Sequence, residues 1–424
     1  MLEYIRKLWK IEDLRKKIVY TFLMLILFRL VGCIPAPGIN LAKVQADLAA
    51  NQSNGLLDMM NMLTGGYMSQ MTIMAMGISP YINASIIMQL LCIALPVLER
   101  MQQEEGGREK INRISRYVTI GLALIQAIGL SNGMGYANTA KYGIWANVLI
   151  GVSMAGGTAL AMWIGERITE KGIGNGISLL IFAGIVSNLF NGIVNHFRVA
   201  NTVTAFLGAF AILALLVVLT FVVTFIDLGE RRIPLQIAKQ VKGRRVYGGQ
   251  NTHLTLKVVA VGVMPLIFAY SFLSFPGTIG ALVAPNSGFT KWCEANLVNG
   301  TWLHLILSAL LIFAFTFFYS SISFDAKKQA EQLQQQGATI PGRRGKDIAS
   351  YLQRTTNRLN LFAALFLAVL AAIPTLMLSG LSLQVPFAAS SMLIAVSVSL
   401  ETMRTIKGEM AVRGIESDKD NGFM

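Results

Sequence analysis

Residues 77–91 read GISPYINASIIMQLL, an apolar and helix-like run that also carries Pro80, Asn83, Ser85 and Gln89. A helix surrounded only by lipid would leave such polar groups without hydrogen-bond partners, which is costly in hydrocarbon. The stretch therefore predicts a membrane helix that borders water or another helix.

The composition of the chain indicates an integral membrane protein. Of 424 residues, 54% are hydrophobic and 14% are charged, whereas soluble domains average about 25% charged residues. Apolar runs of about 20 residues can cross the hydrocarbon core as helices, and their continuity contradicts the alternating strands of a barrel. Ten spans are predicted, at residues 18–36, 72–95, 115–134, 144–164, 175–192, 203–226, 257–277, 302–324, 359–380 and 384–403. The predicted fold is an all-α polytopic membrane protein.

Basic residues fall mostly on one side of this arrangement. Of 36 Lys and Arg residues, only Lys43, Lys141, Arg198 and Lys291 lie in loops on the side opposite the N-terminus, and Arg29 lies within the first span. The positive-inside rule then places both termini in the cytoplasm. The net charge of +14 reflects this orientation rather than nucleic-acid binding.

Two short segments are too short to cross a membrane. Residues 1–17 place apolar and basic side chains on different helical faces, as in a helix that lies on the membrane surface. Residues 55–70 have an apolar part of fewer than ten residues that ends in Gly65-Gly66. This second segment is either a re-entrant half-helix buried in protein or a surface helix.

Two loops on the N-terminal side are longer than connectors need to be. Residues 227–257 and 325–358 each carry seven basic residues. Such charge could serve only to fix topology, but loops of this length more often have a function. We therefore expect a docking surface.

No pattern of catalytic or metal-binding residues is present in the sequence. Cys33, Cys92 and Cys293 are far apart and have no metal spacing, so they are expected to be packing residues. No GxxxxGK[ST], HExxH or GxSxG motif occurs, and His196, His253 and His304 are expected on the surface or in loops. We predict neither enzymatic activity nor a cofactor.

Short matches suggest an internal repeat. Residues 77–84 and 262–269 share GxxPxIxA, and residues 178–181 and 391–394 share SxLI. Each match pairs a span with the fifth span after it, as expected for two inverted halves of five helices. Pro80 and Pro265 are interpreted here as helix interruptions that neighbouring groups compensate.

The matches single out four isoleucines near the middle of their spans. These are Ile82, Ile181, Ile267 and Ile394, and Ile86 and Ile185 follow one helical turn later on the same faces. A ring of such side chains could form a hydrophobic constriction that excludes water and ions. The alternative is that they face lipid or the protein core, as mid-span isoleucines usually do.

Three stretches carry a family resemblance over nearly the whole chain. GISPYINASIIMQLL (77–91), GIGNGISLLIFAGI (172–185) and RRVYGGQNTHLTLKV (244–258) resemble the SecY family, the central subunits of bacterial protein-conducting channels. The resemblance implies an hourglass made of an N-terminal half, residues 1–192, and a C-terminal half, residues 193–424. It also implies a location in the bacterial cytoplasmic membrane, and passage of unfolded secretory and membrane proteins across or into the lipid bilayer.

The resemblance also implies site residues. It places the pore ring at Ile82, Ile86, Ile181, Ile185, Ile267 and Ile394. It implies a plug at about residues 56–66, including Leu57, Met60, Leu63, Gly65 and Gly66, which favours the re-entrant interpretation. It implies a lateral gate, where the second and third spans face the seventh and eighth, with Asn83, Ser85, Gln89, Phe268 and Ser271.

The basic loops resemble docking sites for the motor ATPase SecA and for the ribosome. The arginines implied are Arg231, Arg232, Arg244 and Arg245 in the first loop and Arg343 and Arg344 in the second. Residues 341–346 read PGRRGK, whereas many relatives have PGIRPG; register assigns Arg344 as the equivalent arginine. SecE and SecG are the implied membrane partners.

Two other classes of protein remain as alternatives. A secondary transporter also uses inverted repeats, but it needs ionisable residues at depth, and Asp227 and Glu401 lie near cytoplasmic span ends. An intramembrane protease would need a nucleophile and base that the motifs do not supply.

Overall fold

A computed structural model gives a predominantly helical protein. It describes residues 11–40, 42–44, 64–104, 106–135, 145–199, 203–237, 240–242, 245–247, 251–259, 261–262, 264–283, 287–297, 301–342, 346–381 and 389–412, and the single residues 9, 137 and 143.

The helices of the N-terminal part precede the first strand. They are α1 (Glu12–Gly32), α2 (Ser79–Ala94), α3 (Pro96–Gln103), α4 (Gly107–Met134), α5 (Trp145–Lys171), α6 (Gly176–Val199) and α7 (Val203–Asp227).

Short strands and the remaining helices follow. They are β1 (Glu230–Ile237), β2 (Gln240–Lys242), β3 (Arg245–Tyr247), β4 (Asn251–Lys257), α8 (Met264–Val283), α9 (Gly288–Asn296), α10 (Trp302–Ser323), α11 (Ala326–Gln335), β5 (Ala338–Thr339), α12 (Lys346–Leu381) and α13 (Ala389–Val412).

Each of the ten segments predicted to span the membrane overlaps one of these helices. Among the described residues, four helical stretches are both long and apolar enough to cross a bilayer. They are Glu109–Ser131, Trp145–Lys171, Trp302–Gln335 and Asp347–Ile373. A fifth candidate is the pair α2 and α3, which bends by 104° at its break. Length and composition thus support up to five of the ten spans.

The second span begins later than predicted. Residues 71–78 form turns and α2 starts at Ser79, which places Pro80 in its first turn. Pro265 is likewise the second residue of α8. The interpretation of both prolines as interruptions within a helix was wrong, because first-turn N–H groups have no intrahelical partner and proline gives up nothing there.

The all-α prediction was incomplete, because the two long basic loops contain strands. β1 pairs antiparallel with β4, from Glu230 opposite Lys257 to Gln236 opposite Asn251, and with β5 on its other edge. Pro234 made β1 an unlikely strand by its sequence. It is accommodated because β5 pairs only with Gln236 and Ile237 and leaves that edge free at Pro234.

The paired strands carry their own apolar core. Ile233, Leu256, Leu333, Ile348 and Leu352 are buried in one cluster, which joins the three-stranded sheet to α11 and to the first turns of α12. We call β1, β4, β5, α11 and these turns the sheet unit. Residues that lie about 100 positions apart in the chain therefore form one body, and the β2–β3 hairpin extends from the first of its loops.

The first and last helices meet near the ends of the chain. Lys17 Nζ lies 2.5 Å from Glu409 Oε1, and Leu14 packs on Met410 in a small buried cluster. The start of α1 and the end of α13 therefore lie on the same side of the helical body.

Candidate functional site

All six isoleucines singled out by the sequence belong to one cluster of buried side chains. We call this the central cluster; it draws side chains from α1, α2, α5, α6, α7, α8, α10, α12 and α13, with Tyr67 and Met74. Ile82 is 8% exposed, Ile267 5%, Ile394 2% and Ile185 1%. Residues from four separate helices thus belong to one apolar cluster, a placement that fits both the predicted constriction and the alternative of packing in the protein core.

The two GxxPxIxA matches have the same local geometry. Gly77 and Gly262 both have positive φ, 53° and 64°, a conformation that suits glycine because it has no Cβ. The chain then enters α2 or α8 with proline in the first turn, and Ile82 or Ile267 is the fourth helical residue. The shared sequence therefore encodes a turn that aims an isoleucine at the central cluster.

A cap at the start of α6 orients its isoleucines. The Asn175 side-chain oxygen accepts hydrogen bonds from the Ile177 and Ser178 backbone N–H groups, at 3.1 and 3.3 Å, as N-cap residues do. Ile181 and Ile185 follow on one face of the helix.

Part of the predicted plug can be located. Leu57, Met60 and Leu63 lie outside the described residues. Gly65 and Gly66 have positive φ and pack against α6: a methyl group on Gly65 would lie 2.8 Å from Gly184 Cα, and one on Gly66 would lie 2.9 Å from Asn188 Oδ1. The last two residues of the predicted plug, Gly65 and Gly66, therefore lie in close contact with α6, the helix that carries Ile181 and Ile185.

The predicted gate residues occupy three different places. Asn83 on α2 and Ser271 on α8 line a narrow cleft of about 80 Å³ with Ile86, Leu90 and Phe272. This cleft lies where the second span faces the seventh, and it is apolar apart from those two side chains.

Ser85 and Gln89 face a second cavity. It measures about 250 Å³ and lies among α2, α3, α4 and the end of α10, where it is lined by Asn112 and Ile322 among others. Gln89 Nε2 donates to Ser85 Oγ at 3.4 Å, and Gln89 Oε1 is buried without a partner among the described residues.

Phe268 lies apart from both cavities. Its ring packs edge-on against Phe315 and Tyr319 of α10, with centroids 6.0 and 5.9 Å apart. The structure therefore assigns Phe268 to the contact between α8 and α10 and not to the cleft that faces α2.

The predicted docking arginines are only partly described. Arg231 and Arg232 are exposed on β1, opposite Leu256 and Thr255. Arg245 lies in β3 opposite Lys242, whereas Arg244, Arg343 and Arg344 lie outside the described residues. The exposed pair places two basic side chains on the surface of the sheet unit.

Sequence reasoning missed the surroundings of Arg29. Its Nη1 donates to the Tyr67 hydroxyl at 3.0 Å, its Nη2 donates to the Ala183 carbonyl, and its guanidinium lies 5.4 Å from the Tyr67 ring centre. A basic residue inside an apolar segment was the signal, since such residues are costly there and commonly functional.

The prediction for His304 was wrong. It is 2% exposed in the first turn of α10, where its Nδ1 lies 3.1 Å from the Leu297 carbonyl and its ring stacks on Tyr270. The Leu297 carbonyl and the Tyr270 ring together accommodate the imidazole inside the protein. The scattered positions of the three histidines in the sequence did not indicate this burial. Cys92 and Cys293 are buried as expected, whereas Cys33 is exposed. No cluster of metal-binding side chains occurs among the described residues.

Comparison with curated proteins gives relatives of nearly equal length. The chain is 38% identical over 431 residues to the protein translocase subunit SecY of Corynebacterium glutamicum, covering 95% of this chain and 96% of that protein. It is 37% identical over 417 residues to the subunit of the same name in Escherichia coli K12, covering 96% and 94%.

Solved structures share the fold. A protein conducting channel superposes with a TM-score of 0.69 at 19% identity, covering 96% of this chain and 95% of that one. A SecY structure described by a plug domain that stabilises the closed state gives 0.67 at 19% identity, with the same coverage. Sec61 in a canine ribosome–channel complex gives 0.65 at 17% identity, again with coverage of 96% and 95%.

These similarities and the central apolar cluster define the class: a helical membrane protein with the fold of the Sec translocation channels. The family model described as SecY matches residues 72–403. The chain belongs to the SecY family.

Proposed function

We propose that this chain conducts unfolded polypeptides across the cytoplasmic membrane and releases apolar segments sideways into the bilayer. Ten helices in two inverted halves, residues 1–192 and 193–424, surround the path. The energy comes from a partner, because the chain is not itself an enzyme.

The observation that carries this proposal is the burial of Ile82, Ile181, Ile267 and Ile394 in one cluster from four helices. An apolar ring makes no fixed hydrogen bonds to a passing chain, so it suits substrates of diverse sequence. The same ring excludes ions when the channel is at rest. The matching turns at Gly77 and Gly262 support the inverted repeat.

The plug and the gate complete the proposed path. Residues 56–66 form the plug, and the packing of Gly65 and Gly66 on α6 supports its position beside the ring. The gate opens along the cleft between α2 and α8, where Asn83 and Ser271 face an otherwise apolar surface. An apolar substrate helix enters lipid there because burial of its surface is favourable, at about 25 cal/mol per Å².

Partners dock on the sheet unit. Its exposed Arg231 and Arg232, together with Arg244, Arg245, Arg343 and Arg344, form the proposed contact for a SecA-type motor and for the ribosome. Sec61 in the canine complex is ribosome-bound by its description, which supports the ribosome as a partner. SecE and SecG are the proposed membrane subunits, and both termini lie in the cytoplasm.

A photo-crosslinking residue at Ile82 and, separately, at Ile181 tests conduction directly. A secretory precursor is stalled during motor-driven translocation, and attachment to both positions is the expected result. The matched control is Ile306 on α10, which is 61% exposed, lies outside the central cluster and is expected not to attach. Export without attachment at either ring position would overturn the proposed path.

A further inference from the structure

Two apolar cores lie along the helix pair α10 and α12. Phe324, just after α10, and Leu359 of α12 pack against the core of the sheet unit, whereas Ile312 of α10 and Leu367 of α12 are buried in the central cluster. The chain meets the two cores in opposite order along the two helices, so α10 and α12 run antiparallel. The sheet unit therefore adjoins one end of this helix pair.

A buried polar contact lies between these two cores. Asn360 Nδ2 on α12 donates to Ser320 Oγ on α10 at 2.5 Å, and the two residues are 2% and 4% exposed. Along its own helix, each of them falls between residues of one core and residues of the other. Thr356 lies one turn before Asn360 on the same face of α12 and is 6% exposed. We call Ser320, Thr356 and Asn360 the polar layer.

The hydrogen-bonding groups of the polar layer are only partly paired. Asn360 Oδ1 and Thr356 Oγ1 are buried without a partner among the described residues. Such buried oxygens are costly, and replacing both members of a buried polar pair with apolar groups of similar shape can be neutral or stabilising. The polar layer is therefore a poor source of stability, and we looked for its effect in the alignment of the two helices.

The polar layer distinguishes one axial position of α12 along α10 from the others. Ala363, Ala364 and Ala371 of α12 are buried, and small side chains of this kind allow close helix packing without selecting one axial position. A shift by one helical turn, roughly 5 Å, would break the bond between Asn360 and Ser320 inside the protein. A single buried asparagine fixes the register of coiled coils through the same penalty.

We propose that Asn360 is a positioning residue that fixes the register of α12 on α10 and, through it, the placement of the sheet unit relative to the central cluster. This inference rests on the proposed function, in which partners dock on the sheet unit. α11 follows α10 directly, and the first turns of α12 belong to the same unit. A shift between the two helices would therefore displace one part of the docking surface against the other.

Pulsed electron paramagnetic resonance measures this register directly. Spin labels are attached at Leu310 of α10 and Leu365 of α12, which are 61% and 55% exposed. The sample is the full chain in lipid nanodiscs with its three cysteines replaced by alanine, and one narrow distance is expected. Ser320→Ala combined with Asn360→Leu makes the site apolar, and a second distance that differs by roughly 5 Å, one helical turn, is expected there.

A matched control separates register from stability. Ser321→Ala combined with Asn357→Leu makes the same two changes at exposed positions of the same helices and is expected to leave the distance unchanged. The thermal midpoint of the buried double variant is expected to equal or exceed that of the control variant. A single narrow distance in the buried variant, or a thermal midpoint below that of the control, would overturn the positioning role.

Motor-driven export tests the consequence for docking. In the buried double variant, the concentration of a SecA-type motor that gives half-maximal export is expected to rise several-fold, while export at saturating motor stays unchanged. A folding defect would instead lower the maximal export. An unchanged half-maximal concentration, with export by the wild-type chain intact, would overturn the positioning role alone, whereas absence of motor-driven export by the wild-type chain would overturn the proposed function as well.

Discussion

Gly77 and Gly262 adopt the same left-handed backbone conformation, each five residues before an isoleucine of the central cluster. The two glycines lie 185 positions apart in the sequence and begin corresponding turns of the proposed inverted halves. Each glycine precedes a helix whose fourth residue, Ile82 or Ile267, is buried in the central cluster.

The left-handed turn at Gly262 predicts a stability cost for any side chain. Nothing lies within 4 Å of a methyl group added there, so Gly262→Ala introduces only backbone strain, about 1 kcal/mol. We expect a lower thermal midpoint for the detergent-solubilised protein. Gly288→Ala, also in open space but without positive φ, is the control, and an equal loss in both would contradict the explanation.

We predict that removing side chains from the proposed isoleucine ring makes the resting channel leak ions. Replacing Ile82 or Ile267 with glycine removes a buried apolar side chain from the proposed constriction, so resting conductance in planar bilayers is expected to rise several-fold. Ile306→Gly removes an equal side chain from an exposed position on α10, outside the central cluster, and should leave conductance unchanged. Sealed bilayers with both ring variants would count against a constriction at this level.

We predict that the apolar core of the sheet unit is needed for binding of the motor. Leu352 is fully buried in that core, and Leu352→Ala is expected to destabilise the unit by about 3 kcal/mol through the cavity it leaves. Faster proteolysis of the two loops and weaker motor binding should follow. Leu361→Ala, at a position 55% exposed on the same helix, serves as the control; similar protease sensitivity in both variants would argue against this core.

Reversing the charge of Arg344 tests whether the second basic loop engages the motor. Arg344→Glu is expected to cut motor-driven export several-fold while membrane insertion falls less, because it reverses a charge that we propose the motor contacts. Lys327→Glu makes the same change on exposed α11 and should have little effect on either process. Equal loss of export and insertion in Arg344→Glu would refute this division of roles.

Much of the candidate site could be predicted because membrane helices carry strong local signals. Apolar runs located a helix in every predicted span, and two four-to-eight-residue matches were sufficient to select isoleucines that are buried together. The start of α2 could not be predicted in the same way. Residues 71–78 are as apolar as the helix that follows, and only the backbone conformation at Gly77 separates turn from helix.

Contacts between residues far apart in the sequence could not be predicted from local sequence patterns. The pairing of Gln236 with Thr339 joins two loops that each appear in the sequence as polar connectors. Nothing in the sequence of either loop indicates that it pairs with the other. The same holds for Arg29, whose cost in an apolar segment was visible but whose partners, Tyr67 and Ala183, come from distant segments. The local sequence indicates that a residue such as Arg29 needs hydrogen-bond partners, but it does not indicate which distant residues supply them.

The pairing between β1 and β5 has a mechanical consequence. α7 leads into β1, β4 leads out towards α8, α10 precedes α11, and α12 contributes its first turns to the same core. A force applied to either loop would therefore be shared, through the core of the sheet unit, among the four helices that adjoin it in the chain. Phe268 also packs against Phe315 and Tyr319 of α10, so side-chain contacts connect this group of helices to α8, which lines the cleft with α2.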